Sequence, residues 1–193
     1  SFQLLELLRQ RSPLTRTELS QGTGFNIVTV SNYINEFIKQ GLVLERGFDI
    51  STGGRKPVLV ELNAKTGFVV GVDVGPLDAG NAHVILIMTD LRGHIIHRVT
   101  SPCPTDNLDR VLQGLEEQVQ SFLKSSPVDA KRVLGVGVGL PGIMDERAGT
   151  IRDASRLGIR TNYSSIRDQL ETGLRLPVLM GSNSILAGYG ELR

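Results

Sequence analysis

Apolar residues at helical spacing predict two short helices at the start of the chain. Leu4, Leu5 and Leu8 fall on one side of a helical repeat and predict the buried face of a first helix. Thr15 and Glu18 then stand in the S/T-x-x-E arrangement of a capping box, in which each side chain satisfies the other residue's free backbone N–H. This arrangement predicts that a second helix begins directly after Thr15.

A third helix is predicted between Asn26 and Gly41. Asn26 is a typical N-cap residue, and Gly41 is typical of the position just beyond a helix end. The apolar positions expected to face the core are Ile27, Val30, Ile34, Phe37 and Ile38. Their spacing is typical of a helix that packs one face against a small domain.

The outward face of this helix carries small, hydroxyl and amide side chains. Its members are Val28, Thr29, Ser31, Asn32 and Asn35. A solvated helix more often carries Glu and Lys on that face, whereas short polar groups can approach base edges and phosphates closely. The alternative interpretation is a surface helix that is polar without contacting nucleic acid.

Two strand candidates after the third helix form a predicted hairpin. They are LVLERG at 42–47 and RKPVLVEL at 55–62, joined by a segment with the Gly53-Gly54 turn signal. Helices followed by such a hairpin predict a winged helix-turn-helix, whose second core helix enters the major groove, and this favours DNA binding over the alternative. The predicted DNA contacts are Arg16, Asn26, Val28, Thr29, Ser31, Asn32, Asn35, Arg55 and Lys56, and Arg46 on the wing is also expected to meet phosphates.

Beyond residue 62 the pattern changes to Val- and Ile-rich strands that later alternate with helices. The strand candidates are 67–75, 82–101 with a turn at 90–93, 132–142 and 176–181, and the helix candidates are 106–125, 164–174 and 182–193. The apolar face of the helix at 106–125 is predicted to be Leu108, Val111, Leu112, Leu115, Val119 and Leu123. We predict an α/β domain with a mixed sheet at 63–193, following a DNA-binding domain at 1–62.

Composition limits the possible classes of protein. The 193 residues are 40% hydrophobic with a net charge of +1, and residues 1–62 carry seven basic and six acidic side chains. DNA binding by one copy should therefore be modest and salt-sensitive, and a dimer is expected. Cys103 is the only cysteine, which fits a reducing compartment, and no apolar run is long enough to span a membrane. We expect a cytoplasmic protein.

Two glycine-rich strand ends are candidates for ligand chemistry. GVDVG at 71–75 lets backbone N–H groups approach a phosphate, with Asp73 beside it to orient a metal or water. GVGVGLPG at 135–142 could shape a ligand cleft or serve close helix–sheet packing. The three histidines, His83, His94 and His97, lack further ligands at metal-binding spacing, so no metal site is predicted.

The order of these segments resembles the ROK family of repressors, open reading frames and sugar kinases. The resemblance covers nearly the whole chain, and its most specific part runs from GGRKP at 53–57 to GVDVG at 71–75. It is strongest to the repressor branch, and it implies a winged helix joined to an actin-like, ribonuclease-H-like sugar-binding domain. The partners it implies are an operator in double-stranded DNA, a sugar or sugar derivative, and further copies in a homodimer or higher oligomer.

Departures from the family pattern bear on catalysis. The kinases of the family carry a general-base Asp where this chain has Asn183, and an amide cannot accept a proton at neutral pH. Their phosphate loop reads Asp-x-Gly-x-Thr, of which Asp73 and Gly75 remain while Leu77 replaces the Thr. We therefore expect no enzyme activity; the alternative is a ROK-type kinase that phosphorylates a hexose or amino sugar.

The resemblance also indicates ligand-binding candidates, namely Gly142, Arg156 and Asn183. Arg156 could pair with an acidic or phosphorylated sugar, and a solvent-facing arginine is the equal alternative. Family members continue for about as long again through a structural zinc cluster, so the chain is expected to be a fragment with no cofactor assigned to its residues. A third possibility is a degenerate member that binds no ligand.

Overall fold

The structure is a computed structural model, and it describes residues 2–48, 58–75, 83–103, 107–145, 147–152 and 160–183. The chain divides into two compact units. The first contains Ser1–Thr66 together with Leu91–Gly93, and the second contains Gly67–Asp90 and His94–Arg193. The sequence predicted a domain boundary after residue 62, whereas the observed division follows Thr66. Residues 63–66 belong to the first unit because they contact its other residues, as in the hydrogen bond from the Asn63 N–H to the Leu42 carbonyl.

The first unit begins with three helices, α1 (Phe2–Arg11), α2 (Arg16–Thr23) and α3 (Ile27–Lys39). The predicted capping box is confirmed, since the Thr15 hydroxyl accepts from the Glu18 N–H and the Glu18 carboxylate accepts from the Thr15 N–H at 2.6 Å. Gly24 ends α2 with φ of 73°, a left-handed conformation that glycine adopts without steric cost. Its position allows α3 to begin only a few residues later.

The buried face of α3 matches the predicted apolar spacing at all but its first position. The core of the unit comprises Leu4, Leu8, Leu19, Val30, Ile34, Phe37, Val43, Val60 and Leu62, with Ile38 packed against it. The expectation for Ile27 is wrong, because its side chain is 46% exposed. Ile27 occupies the first helical position, one turn before the buried row begins at Val30.

A small antiparallel sheet completes the first unit, with β1 (Leu14–Thr15), β2 (Val43–Phe48) and β3 (Val58–Leu62) in the order β1-β3-β2. The predicted pairing of the hairpin arms is confirmed for Val43–Phe48 with Val58–Leu62, and residues 49–57, which include the predicted turn, lie outside the described residues. A 3-10 turn (Ala64–Thr66) follows, and the Leu91 N–H donates to the Ala64 carbonyl at 3.1 Å. The segment 91–93 therefore belongs to this unit although it links two strands of the next.

The second unit has a mixed five-stranded sheet, as predicted. Its main elements are β4 (Phe68–Val74), β5 (His83–Asp90), β6 (Ile95–Pro102), α4 (Leu108–Ser125) and β7 (Val133–Leu140). After these come β8 (Ile143–Asp145), β9 (Thr150–Arg152), β10 (Arg160–Asn162), α5 (Tyr163–Leu174) and β11 (Val178–Ser182). The large sheet has the order β11-β7-β4-β5-β6, in which β7 pairs in parallel with both β4 and β11.

A second small sheet, β10-β9-β8, was not predicted. Its strands have three residues each, which is too short for an alternating pattern to be recognised. The predicted helix at 182–193 lies outside the described residues except for its first two positions. No helix in the described part of the chain is long and apolar enough to cross a membrane.

One face of the large sheet is buried and the other carries the candidate site. Val70, Val72 and Val74 of β4 are buried together with the apolar face of α4, whereas Asp73 on the opposite face is exposed. The predicted face of α4 is confirmed except near its end, where Phe122 is buried and Leu123 only partly so. The strict alternation along β4 thus separates core from ligand-accessible positions.

Candidate DNA interface and ligand cleft

The exposed stripe of α3 lies directly opposite its buried row. We define the α3 stripe as Val28, Asn32, Asn35 and Lys39, which follow one another at helical spacing. Val28 is 67% exposed although it is apolar, and the two asparagines are exposed as well. Lys39, in the last turn, is the one charged member. The other three members of the stripe, Val28, Asn32 and Asn35, are uncharged and can approach base edges without the desolvation of an ion.

Three other predicted DNA contacts lie around the N-terminal half of α3. Asn26 caps the helix, its Oδ1 accepting from the Thr29 N–H at 2.8 Å, so the N-cap prediction is confirmed. Thr29 and Ser31 are half-buried on the flanks of the stripe. The capped end presents the positive end of the helix dipole to any approaching phosphate.

Arg16, in the first turn of α2, lies beside the α3 stripe. Its Nη2 donates to Asn35 Oδ1 at 3.2 Å and forms an ion pair with Glu45 of β2 at 3.0 Å. The guanidinium is thus held between the helix and the sheet. Arg55 and Lys56, the remaining predicted contacts, lie outside the described residues.

Arg46, on β2, is also paired with an acidic side chain. Its Nε donates to Glu61 Oε1 at 2.5 Å, and Glu61 is nearly buried. Arg92 Nη2 approaches the other Glu61 oxygen at 3.8 Å and donates to Ser12 Oγ at 2.7 Å. The described arginines of β2 and of the 91–93 turn therefore serve the unit's own packing.

A cleft of about 530 Å³ opens on the exposed face of the large sheet in the second unit. Gly71 and Asp73 of β4 line it together with Gly137 and Gly139 of β7, and Asn183 also lines it. Register explains this arrangement, because Gly71 pairs with Gly137 and Asp73 with Gly139 across the two parallel strands. Because glycine has no side chain, backbone atoms form the floor of the cleft at these positions.

Asn183 has one satisfied and one unsatisfied polar group. Its Nδ2 donates to the Val74 carbonyl at 2.8 Å, while its Oδ1 is buried and accepts no hydrogen bond from the described residues. A buried acceptor without a donor is unusual in folded proteins and is a candidate for pairing with a ligand donor. Asn183 is therefore oriented by the strand end of β4, and its buried Oδ1 has no donor among the described residues.

An apolar wall of the cleft was missed by the sequence reasoning. Ile85 and Ile87 of β5 and Ile95 of β6 line it, together with Arg98. The alternating burial along β5 was recognisable, since Val84, Leu86 and Met88 occupy the buried face and leave the isoleucines opposite. The alternating pattern alone does not show which of the two faces of the sheet is covered by other elements and which remains accessible.

The remaining predicted ligand residues have local structural contacts. Gly75 is buried, its N–H donates to the His83 carbonyl at 2.9 Å, and a Cβ there would lie against the His83 ring. Gly142 adopts φ of 136°, its carbonyl accepts from Ser182 Oγ at 2.9 Å, and a Cβ would collide with the Arg152 carbonyl oxygen. Arg156 lies outside the described residues.

Within the described residues, no group of three or more His, Cys, Asp or Glu side chains could hold a metal ion. His94 Nδ1 lies 3.0 Å from the Asp90 carboxylate, and His97 stacks on Phe122 with ring centroids 4.8 Å apart. His97 thus packs against α4, whereas the largely exposed His94 interacts with the carboxylate at the end of β5.

Residues 74–192 match the sequence profile of the ROK family. The chain is 29% identical over 97% of its length to the xylose repressor of Caldicellulosiruptor bescii and 30% identical over 97% to that of Bacillus spizizenii. It is 22% identical over 78% of its length to the DNA-binding transcriptional dual regulator NagC of Escherichia coli K12.

These similarities extend over only part of each relative. The chain spans about half the length of the curated xylose repressors it matches, 46% and 47%, and 36% of NagC. Among solved structures, the chain superposes on a ROK family transcriptional regulator, a homolog of the E. coli MLC protein, with a TM-score of 0.68. The two sequences are 17% identical, and the superposition covers 94% of this chain and 44% of the regulator. This superposition shows a shared fold.

Proposed function

The chain belongs to the ROK family, and on that premise we propose that it is a sugar-responsive repressor of genes for carbohydrate uptake or metabolism. Its first unit binds operator DNA and its second unit binds a sugar or sugar derivative. The observation that carries this proposal is the α3 stripe, an exposed helix face whose only charged member is Lys39, with the Arg16 guanidinium held beside it. The names of the relatives, xylose repressors and a DNA-binding dual regulator, support the same role.

We assign α2 and α3 to a helix-turn-helix and β2 and β3 to its wing. In such domains the second helix of the pair lies in the major groove, with its N-terminal residues at the base edges. Val28 and Asn32 occupy that half of α3, and the Asn26 cap faces the phosphates. We also propose that Arg55 and Lys56, which precede β3 in the sequence, contact the phosphate backbone of the DNA. The corresponding units are Ser1–Thr66 with Leu91–Gly93 for DNA, and Gly67–Asp90 with His94–Arg193 for the sugar.

The low charge of the first unit sets the strength of binding. Residues 1–62 carry a net charge of +1, and Arg16 and Arg46 are both engaged by acidic side chains. Few counterions are then released per copy, so two copies must bind together for useful affinity at physiological salt. We infer a cytoplasmic homodimer or higher homo-oligomer that recognises a pseudo-palindromic operator.

The cleft of the second unit suits a sugar. Its volume of about 530 Å³ lies within the range of small-molecule sites. Asn183 Oδ1 accepts a ligand hydroxyl, the Asp73 carboxylate accepts a second, and the isoleucine wall packs against the C–H face of the ring. The sugar controls DNA binding only if it binds one conformation of the protein better than the other.

The same cleft argues against phosphoryl transfer. A sugar kinase needs a group that accepts the proton of the attacking hydroxyl, and Asn183 lines the cleft with an amide where the family kinases hold a carboxylate. We therefore propose that the chain is not an enzyme. Turnover of ATP well above background in the presence of any sugar of a broad panel would overturn this part of the proposal.

Selection of bound fragments from the genomic DNA of the source organism tests the main proposal. We expect enrichment of a pseudo-palindromic site beside sugar-uptake genes, weakened at higher salt and changed by one sugar. Gly137→Val should abolish the sugar effect and keep DNA binding, since a Cβ at Gly137 meets no described atom within 4 Å and the side chain enters the cleft. Gly114→Ala, on α4 outside the cleft, is the control. Absence of any enrichment at both salt concentrations would overturn the proposal.

A further inference from the structure

We propose that α3 recognises A·T base pairs in each half-site, with Asn32 pairing to an adenine and Val28 packing against a thymine methyl group. This inference rests on the proposed DNA-binding function and specifies the bases that the α3 stripe selects. It assigns different chemistry to the two exposed asparagines of the stripe, which sequence alone cannot distinguish.

Asn32 has both its hydrogen-bonding groups available. It is exposed, and its side chain makes no hydrogen bond to any residue that the structure describes. An asparagine amide with a free donor and a free acceptor matches the adenine edge in the major groove, where N7 accepts and the N6 amino group donates. Neither guanine nor the pyrimidines offer that pair of groups on one base.

Asn35 has one of the two lone pairs of its acceptor already occupied, so it is less suited than Asn32 to accept a hydrogen bond from a base. Its Oδ1 already accepts from Arg16 Nη2 at 3.2 Å, and Arg16 is itself fixed by Glu45 at 3.0 Å. The remaining NH₂ group can donate to a purine N7, to guanine O6 or to thymine O4, so it does not single out one base. Asn32 is therefore the asparagine of the stripe that carries adenine specificity.

Val28 supplies the apolar contact. Its side chain is 67% exposed in the first turn of α3, where a helix in the major groove is nearest the bases. Thymine is the base that presents a methyl group there. Val28 and Asn32 are four positions apart, about 6 Å along the helix, and base pairs are spaced by about 3.4 Å. The thymine and the adenine should therefore lie within about two base pairs of each other.

Selection from a randomised DNA library with the chain of residues 1–193 tests this assignment. The unaltered chain should enrich an adenine and a nearby thymine in each half-site. Asn32→Ala should lose the preference for adenine and keep that for thymine, and Val28→Ala should show the reverse. Gln169→Ala, an exposed amide on α5 in the other unit, should leave every preference unchanged.

Modified bases in the selected site provide a second measurement, whose first comparison uses only the unaltered chain on modified and unmodified DNA and therefore does not depend on how the variants fold. Replacing the adenine by 7-deazaadenine removes N7 and should lower the DNA affinity of the unaltered chain by about 5- to 150-fold. The affinity of the Asn32→Ala variant should hardly change. Replacing the thymine by deoxyuridine removes the methyl group. This change should lower the DNA affinity of the unaltered chain by a larger factor than that of the Val28→Ala variant.

The outcomes separate the inference from the proposed function. An enriched site whose adenine and thymine preferences persist in both variants, or a site read through G·C pairs, overturns the inference and leaves DNA binding standing. Absence of enrichment by the unaltered chain overturns the proposed function and the inference with it.

Discussion

Arg16 and Asn35 lie on neighbouring helices and are joined by a hydrogen bond of 3.2 Å from Nη2 to Oδ1. The same guanidinium nitrogen lies 3.0 Å from Glu45 on β2, so the arginine beside the α3 stripe is held by a carboxylate. A DNA phosphate would compete with Glu45 for Arg16. The ion pair is thus expected to weaken binding while positioning the side chain.

Glu45→Gln should therefore raise affinity for DNA. The substitution removes one negative charge and releases Arg16; because exposed ion pairs contribute about 0.2–1 kcal/mol, the gain should be up to about fivefold. A new phosphate contact should also make the slope of log affinity against log salt steeper by about 0.9. Titrations at several salt concentrations measure both quantities.

Asp168→Asn is the matched control, because it removes the acid of another exposed pair, Arg167–Asp168 at 2.8 Å, in the second unit. It should change neither affinity nor slope. A lower affinity for Glu45→Gln would mean that Glu45 holds Arg16 in the position that DNA requires.

Asn26→Ala should destabilise the first unit. The Asn26 side chain satisfies the Thr29 N–H at the start of α3, and loss of such a cap costs about 0.5–2 kcal/mol. Urea unfolding followed by circular dichroism measures the free energy of unfolding. Asn26→Ser retains an acceptor and should recover most of the loss; equal stability of the two variants would contradict a capping role.

The same Gly→Ala substitution should have opposite effects at two positions of the second unit. Gly142→Ala should destabilise it by about 2–4 kcal/mol, because φ is 136° and the new Cβ meets the Arg152 carbonyl oxygen. Gly114→Ala should stabilise it by about 0.5–1 kcal/mol, since Gly114 lies within α4 and a Cβ would have Gln118 Nε2 at 3.9 Å as its nearest neighbour. Thermal unfolding measures the difference in sign.

Cys103 should react slowly with thiol reagents. It is partly buried against the core of the second unit, and burial raises the pKa of its thiol because the thiolate is disfavoured there. The fraction of thiolate at neutral pH is then smaller than in a free cysteine, so alkylation by iodoacetamide should be slower and should keep increasing to higher pH. Labelling in urea should proceed at the rate of free cysteine. Equal rates with and without urea would contradict the protection.

Local sequence signals predicted much of the first unit correctly. The capping box at Thr15, the N-cap at Asn26 and the apolar spacing of α3 depend on residues a few positions apart, and all are present. Ile27 was assigned to the wrong environment because helical phase identifies a buried face without showing where along the helix that face begins. At the end of α4, likewise, Leu123 was predicted to be on the buried face, but Phe122 is the buried residue and Leu123 is only partly buried.

The candidate cleft depended on contacts that are distant in sequence. Asn183 donates to the Val74 carbonyl across 109 positions, and this contact leaves its Oδ1 without a described donor. Ile85 and Ile87 line the cleft because the opposite face of β5 is covered by the core. Alternation along a strand shows that two faces differ, but it does not show which face a helix will cover.

The sequence by itself determined the chemical groups available, including the amide of Asn183. It also determined the order of the longer elements and the caps that begin them. These properties follow from backbone hydrogen bonding and apolar periodicity, which act over a few residues. Tertiary structure decided which of those groups remain available for a partner. Arg16 donates to the acceptor of Asn35 and leaves both groups of Asn32 open, because packing brings α2 and β2 to one side of the α3 stripe.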